Sequence, residues 1–202
     1  MLDKKIDHQN IRLTQLSHGG GCGCKVSPSI LREILSKLPP QASQPELLLG
    51  FDKHDDAAVY KINQEQGVVA TTDFFMPIVD DPFEFGRIAA TNALSDIYSV
   101  GGSPIMALAI AGFPTEKMSV QQIQEILGGG AKACEDAGIP IAGGHTIDAP
   151  EPIYGLAAVG LVSLNNIKRN DGGKAGDIIM TNNSGFHRGA FLKDGSRVRV
   201  TS

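Results

Sequence analysis

"DDPFEFGRIAATNALSDIYSVGG", residues 80–102, decides how the rest of the chain is read. Asp81 offers a side-chain acceptor to the first unpaired amides of a helix. Pro82 suits the first helical position, and Glu84 puts a negative charge in the first turn, where the helix dipole favours it. Apolar residues then recur at helical spacing until Gly101 and Gly102 stop the run. On the N-terminal side, "AAVYKI" (57–62) and "GVVATTDFF" (67–75) are rich in β-branched and aromatic residues, and the polar "NQEQ" between them predicts a hairpin. On the C-terminal side, "PIMALAIAGF" (104–113) is an apolar run of strand length. "SVQQIQEILGGGAKACEDAG" (119–138) then predicts a second helix, with Ser119 and Gln122 in capping-box relation and Gly138 at its end. "IPIAGGHTID" (139–148) and "IYGLAAVGLVSL" (153–164) supply two more strands. The order β-β-α-β-α-β-β gives an α+β domain, a sheet with its helices on one face.

Gly128, Gly129 and Gly130 stand inside the second helix, where each costs about 1 kcal/mol against alanine. Their presence implies a close backbone contact with the sheet or a break in the helix. Residues 1–26 carry no sustained apolar period. A short amphipathic helix follows, with Ser27 as N-cap, Pro28 at its first position and Ile30, Leu31, Ile34, Leu35 and Leu38 as its apolar face.

With 202 residues, 42% hydrophobic and 20% charged, the chain has the composition of a globular protein. A net charge of −4 gives no basic footprint for nucleic acid, so a small-molecule partner is favoured. No run of 18 apolar residues suggests a membrane span, and the polar start "MLDKKIDHQNIRLTQ" does not read as a secretion signal. Together with an odd count of three cysteines, this predicts a cytoplasmic protein with reduced thiols at Cys22 and Cys24.

Acidic residues in apolar surroundings mark the candidate chemistry. Asp55 and Asp56 open the strand "AAVY", Asp73 ends "VVATTD", and Asp96 lies on the first long helix with Asn92 one turn earlier on the same face. Strand ends and a helix face can converge on one cleft, and a loose carboxylate cluster suits Mg²⁺, which keeps several waters and arrives with substrate phosphates. Turn formation and local capping account for the same residues equally well. "AGGHTIDAPEP" (142–152) reads as a glycine-containing turn whose amides, with His145 and Thr146, could cradle an anion, or as a plain tight turn. His18 reads as a loop residue and Cys134 as a small core residue.

The strip "SHGGGCGCK" (17–25) is different. Its four glycines let the backbone close over a ligand, and Lys25 can lower the pKa of a nearby thiol or hold a phosphate. Zinc would need a second ligand pair beyond this C-x-C spacing, which leaves a thiol-bearing lid or a flexible tail.

"RLTQLSHGGGCGCKVSP", "DDAAVY", "TTDFFMPIVDDPFEFGRIAATNALSDIYSVGG", "PIMALAI" and "AGGHTIDAPEPIYGLA" together resemble the selenophosphate synthetase (selenide, water dikinase) family, in order from about Ile11 to about Thr181. The resemblance implies a ferredoxin-like domain of the aminoimidazole ribonucleotide synthetase type, with a mixed sheet. It also implies synthesis of selenophosphate from ATP, selenide and water with release of AMP and phosphate, a requirement for Mg²⁺, and a homodimer. By motif, Cys22 and Lys25 fall on the catalytic cysteine and lysine. Lys25, Lys53, His54, Asp55, Asp73, Asp96, Gly144, His145 and Thr146 fall on the ATP-binding positions, and Asp56 and Asp96 on metal ligands. The implied organisation is a lid and short helix over 1–50, an ATP/Mg-binding domain over 51–166, and over 167–202 the start of a truncated C-terminal domain with a divergent tail. The glycine–cysteine strip argues against another enzyme of the superfamily, such as a thiamine-monophosphate kinase. A non-catalytic half that binds ATP or dimerises is the alternative of another class.

Overall fold

The computed structural model describes residues 12–39, 44–50 and 56–169. Strands β1 (Leu47–Leu49), β2 (Ala58–Lys61), β3 (Gln66–Phe75), β4 (Ser103–Phe113), β5 (Ile141–Asp148) and β6 (Ile153–Ser163) form one sheet in the order β1-β2-β3-β6-β4-β5. Helix α1 (Pro28–Ser36) precedes β1, α2 (Pro82–Ser99) joins β3 to β4, and α3 (Val120–Asp136) joins β4 to β5. Only the β4–β5 pair is parallel, as expected where a helix makes the crossover, so the sheet is mixed.

The local signals act as read. Asp81 Oδ1 accepts from the Glu84 amide at 2.8 Å, and Ser119 and Gln122 close a full capping box. The Ser27 cap and Pro28 start α1. Strand β1 is three consecutive leucines, too short to show in the sequence the alternation that marks a strand. The strand expected over 139–148 forms as β5, and the alternative glycine turn does not begin within "AGGHTID". Hydrogen bonding to β4 holds it extended through Asp148, and the turn comes afterwards, at 149–152.

The core lies between the sheet and α2. Phe85, Ala89, Ala93 and Ile97, four residues apart, are buried along one side of α2. From the sheet, Val59, Val69, Leu156, Ala158 and Ala107 face them. The glycines inside α3 mark close contact rather than a break. A Cβ on Gly129 would stand 1.9 Å from the Phe83 carbonyl oxygen, and one on Gly86 would stand 1.8 Å from that of Ile126. The two helix backbones touch at these points, which no side chain would allow. Gly130 leaves a notch for the buried Tyr154 ring of β6.

Two apolar surfaces remain uncovered among the described residues. One is α1, whose Ile30, Leu31, Ile34 and Leu35 stand exposed together with Leu38 just past its end. The other is the sheet face opposite the helices, where Tyr60, Phe74, Leu108 and Ile147 are exposed. No helix among the described residues is long and apolar enough to cross a membrane.

Candidate active site

Period-two alternation along β3 turns Thr71 and Asp73 to the helix side of the sheet, toward Asn92 and Asp96 on α2. Asp73 is 7% exposed and is the one buried charged residue among those described. It lies within the strand, two residues before the end. One carboxylate oxygen meets Lys25 Nζ at 2.8 Å, and the other accepts from the Asn92 amide. Buried charge is tolerated because it is paired and hydrogen-bonded.

Next to this pair, Thr71 Oγ1 donates to Asp96 Oδ2 at 2.9 Å and lies 3.2 Å from the Asp56 carbonyl oxygen. Burial pushes the Asp96 carboxyl up to about 6; the Thr71 bond works against this, and the negative charges of Asp73 and Asp56 add to it. Three carboxylates and one lysine therefore share one electrostatic neighbourhood. That neighbourhood has an excess of negative charge.

Lys25 comes from the glycine–cysteine strip, which is docked along its length. Thr14 binds Asp80 Oδ1 through its amide and its hydroxyl, and Arg12 Nε reaches Asp80 Oδ2 at 3.3 Å. The Gly21 amide donates to the Met76 carbonyl at 3.0 Å, with Gly21 in the left-handed region at φ 57°. His18 contacts Glu151 on the β5–β6 turn. Cys22 and Cys24 fall in a short 3₁₀ turn, and Cys24 and Cys134 form no disulfide among the described residues. Burial pushes the Cys134 thiol up, as suits a core residue.

The structure thus brings together Lys25, Asp56, Asp73 and Asp96 of the residues singled out from the sequence. Lys53, His54 and Asp55 lie outside the described residues. Gly144, His145 and Thr146 sit on edge strand β5. A single row of the sheet runs Asp73, Leu156, Ala109, Gly144. At ordinary strand spacing Gly144 stands about 14 Å from Asp73, so the three residues are not part of the carboxylate cluster. Thr71, Asp80 and Glu151 were missed. For Thr71 a signal existed, since it shares a strand face with Asp73 two residues on.

The donor set can be tested against Mg²⁺. Among the described residues no group of three or more His, Cys, Asp or Glu side chains is placed to hold a metal by itself. Magnesium does not ask for one; it takes one or two carboxylates and fills its sphere with water and substrate phosphate. Asp56 and Asp96, hard oxygen donors in a charge-crowded site, fit that partial role.

A family model described as "AIR synthase related protein, N-terminal domain" matches residues 54–162. A curated selenide, water dikinase of Burkholderia orbicola is 60% identical over 169 residues, covering 84% of this chain and 48% of that protein. The one from Dechloromonas aromatica is 55% identical over 192 residues, covering 94% of this chain and 55% of that protein. The chain thus spans about half the length of the curated relatives it matches. In architecture it is similar to thiamine monophosphate kinase from Aquifex aeolicus, with a TM-score of 0.54 at 20% identity, over 82% of this chain and 48% of that one. That likeness concerns the fold.

Proposed function

Since the chain belongs to the AIR synthase related family through its N-terminal domain, and its curated relatives are selenide, water dikinases, we propose that it serves ATP-dependent selenophosphate synthesis: ATP, selenide and water in, selenophosphate, AMP and phosphate out. The observation that carries this reading is the contact between Lys25 of the glycine–cysteine strip and buried Asp73. It puts the strip's cation against a carboxylate cluster, three residues along the chain from Cys22.

Carboxylates alone would repel a nucleotide. Mg²⁺, held by Asp56 and Asp96, would neutralise phosphate charge and stabilise the charge that develops in phosphoryl transfer. Lys25 adds a cation from the other side, and Asn92 keeps Asp73 oriented toward it. Docked over the cluster, the strip excludes water from the reacting phosphate and gives selenide a thiol, Cys22, to meet. Lys53, His54 and Asp55 in the segment before Asp56, together with Gly144, His145 and Thr146 on β5, complete the assignment as ATP-binding residues. The organisation proposed is a strip and helix over 1–50 serving a catalytic domain over 51–166, with 167–202 opening a further unit. A thiol with this task needs a reducing compartment, which supports the cytoplasm. The uncovered apolar sheet face supports a homodimer.

Cys22→Ser is expected to abolish selenide-dependent AMP formation while ATP still binds with unchanged heat in titration calorimetry. Normal turnover by this variant would remove Cys22 from the reaction. For the dimer, Leu108→Glu puts a charge into the middle of the uncovered face and is expected to shift the sedimentation coefficient to that of a monomer. An unchanged coefficient would place the interface elsewhere.

A further inference from the structure

The function proposed above assigns no role to the β5–β6 turn. Its Glu151 stands between Pro150 and Pro152, and Pro152 is among the fully buried side chains, so the turn is a fixed platform. The strands on either side are tied down further: the Ala149 amide donates to the Phe113 carbonyl at 3.2 Å, and Asp148 Oδ1 accepts from the Thr115 hydroxyl at 2.9 Å. From this platform the Glu151 carboxylate accepts the His18 backbone amide at 3.1 Å, and both of its oxygens lie 2.9 Å from His18 Nδ1. A contact between residues 133 positions apart fixes where the strip crosses the domain.

The next residue carries the consequence. Gly19 lies so close to the Cys24 sulfur that a Cβ on it would stand 3.0 Å away. The strip therefore folds back on itself at the point where Glu151 holds it, and Lys25, one residue beyond Cys24, reaches Asp73. Asp80 anchors the strip upstream through Thr14 and Arg12. Glu151 holds the middle and Asp73 the end. Bonding to His18 keeps the Glu151 carboxyl below its ordinary range.

We infer that Glu151 is a positioning residue: by binding His18 it sets the fold of the glycine–cysteine strip and so the placement of Lys25 against the carboxylate cluster. The role in turnover rests on the function proposed above; the role in ordering the strip does not. The test uses the full chain and three variants, Glu151→Ala, Glu151→Gln and His18→Ala. Alkylation of Cys24 by iodoacetamide is followed by mass spectrometry, with buried Cys134 as the internal control. Release of one exposed, charge-assisted contact is expected to speed Cys24 alkylation about five-fold in Glu151→Ala, with the rate at Cys134 unchanged. Glu151→Gln retains an acceptor for the amide and should stay within about two-fold of the parent. His18→Ala keeps the amide bond to Glu151 and should fall between. In the same preparations kcat for selenide-dependent AMP formation should drop in Glu151→Ala while the Kd for ATP holds, and Glu151→Gln should restore kcat. Equal Cys24 rates in Glu151→Ala and the parent would overturn the proposal whatever the activities are. A five-fold rate change with no turnover in any form, the parent included, would keep the ordering role and defeat the functional reading instead. A parallel rise at Cys134 would show general loosening and also overturn it.

Discussion

Gly129→Ala is expected to destabilise the domain by about 3 kcal/mol, the upper end of what overpacking costs, and to lower Tm by roughly 6–12 °C for a chain of this size. Alanine in a helix interior is ordinarily favoured over glycine by about 1 kcal/mol, so intrinsic preference alone predicts the opposite sign. The collision decides: the new Cβ would meet the Phe83 carbonyl oxygen at 1.9 Å and the Arg87 amide nitrogen at 2.8 Å, and neither belongs to a side chain that can turn aside. Gly128 is the internal control. Its nearest neighbours are the Phe83 ring atoms, from 3.9 Å outward, which is ordinary contact. Gly128→Ala should therefore raise Tm slightly. Thermal unfolding of the two variants in one buffer checks the argument, and equal shifts would mean that α2 and α3 do not touch backbone to backbone.

Asp96→Asn should uncouple stability from binding. In the folded chain the Asp96 carboxyl keeps its proton up to about 6, against 3.8 for the ordinary group, so ionisation is easier in the unfolded state. Its contribution is thus most favourable below pH 3.8 and is lost as pH rises through 6. At pH 7 the charged form works against folding by about 2 kcal/mol once solvent screening of a partly exposed group is allowed for. In metal-free buffer Asp96→Asn should therefore be the more stable protein at pH 7, and the gain should vanish near pH 4. In the same variant Mg²⁺-dependent ATP binding should weaken at least ten-fold, because a neutral amide is a poor ligand for a hard cation. Loss of stability at pH 7 would mean that the charge of Asp96 is compensated within the chain. Unaltered ATP affinity would remove it from the metal site.

What could be read in the sequence followed from local rules. Asp81-Pro82, Ser119 with Gln122, and Ser27-Pro28 act on residues within one turn of themselves, and all three helix starts stand where those signals put them. The same holds for the β2–β3 hairpin. What depended on distant neighbours was less visible. β1 exists because β2 offers it an edge, and "AGGHTID", which reads in the sequence both as a strand and as a glycine turn, is extended because β4 lies alongside. The carboxylate cluster was legible as residue types and unreadable as a network. Asn92 binding Asp73 and Thr71 binding Asp96 need the α2–β3 packing angle, which no spacing supplies. The strip showed its chemistry in "GGGCGCK", while its anchors, Asp80 and Glu151, are 66 and 133 residues from the groups they hold. The four residues of the row from Asp73 to Gly144 are far apart in the chain, and only the strand order revealed their separation in space.

That strand order governs how the chain can be assembled during synthesis. β6, the last strand among the described residues, enters between β3 and β4, and its residues 153–163 bond to 66–75 on one side and to 103–112 on the other. Before Ile153 has left the ribosome, the β1-β2-β3 meander and the β4-α3-β5 unit each have a bare inner edge and no ladder in common. Both edges are apolar, so at that stage pairing with a neighbouring chain competes with waiting for β6. Closure then requires contacts spanning most of the domain, which makes the final step slow relative to hairpin and helix formation. The central strand acts as a keystone: nothing earlier in the chain can unite the two halves of the sheet, and its arrival does so along both edges at once.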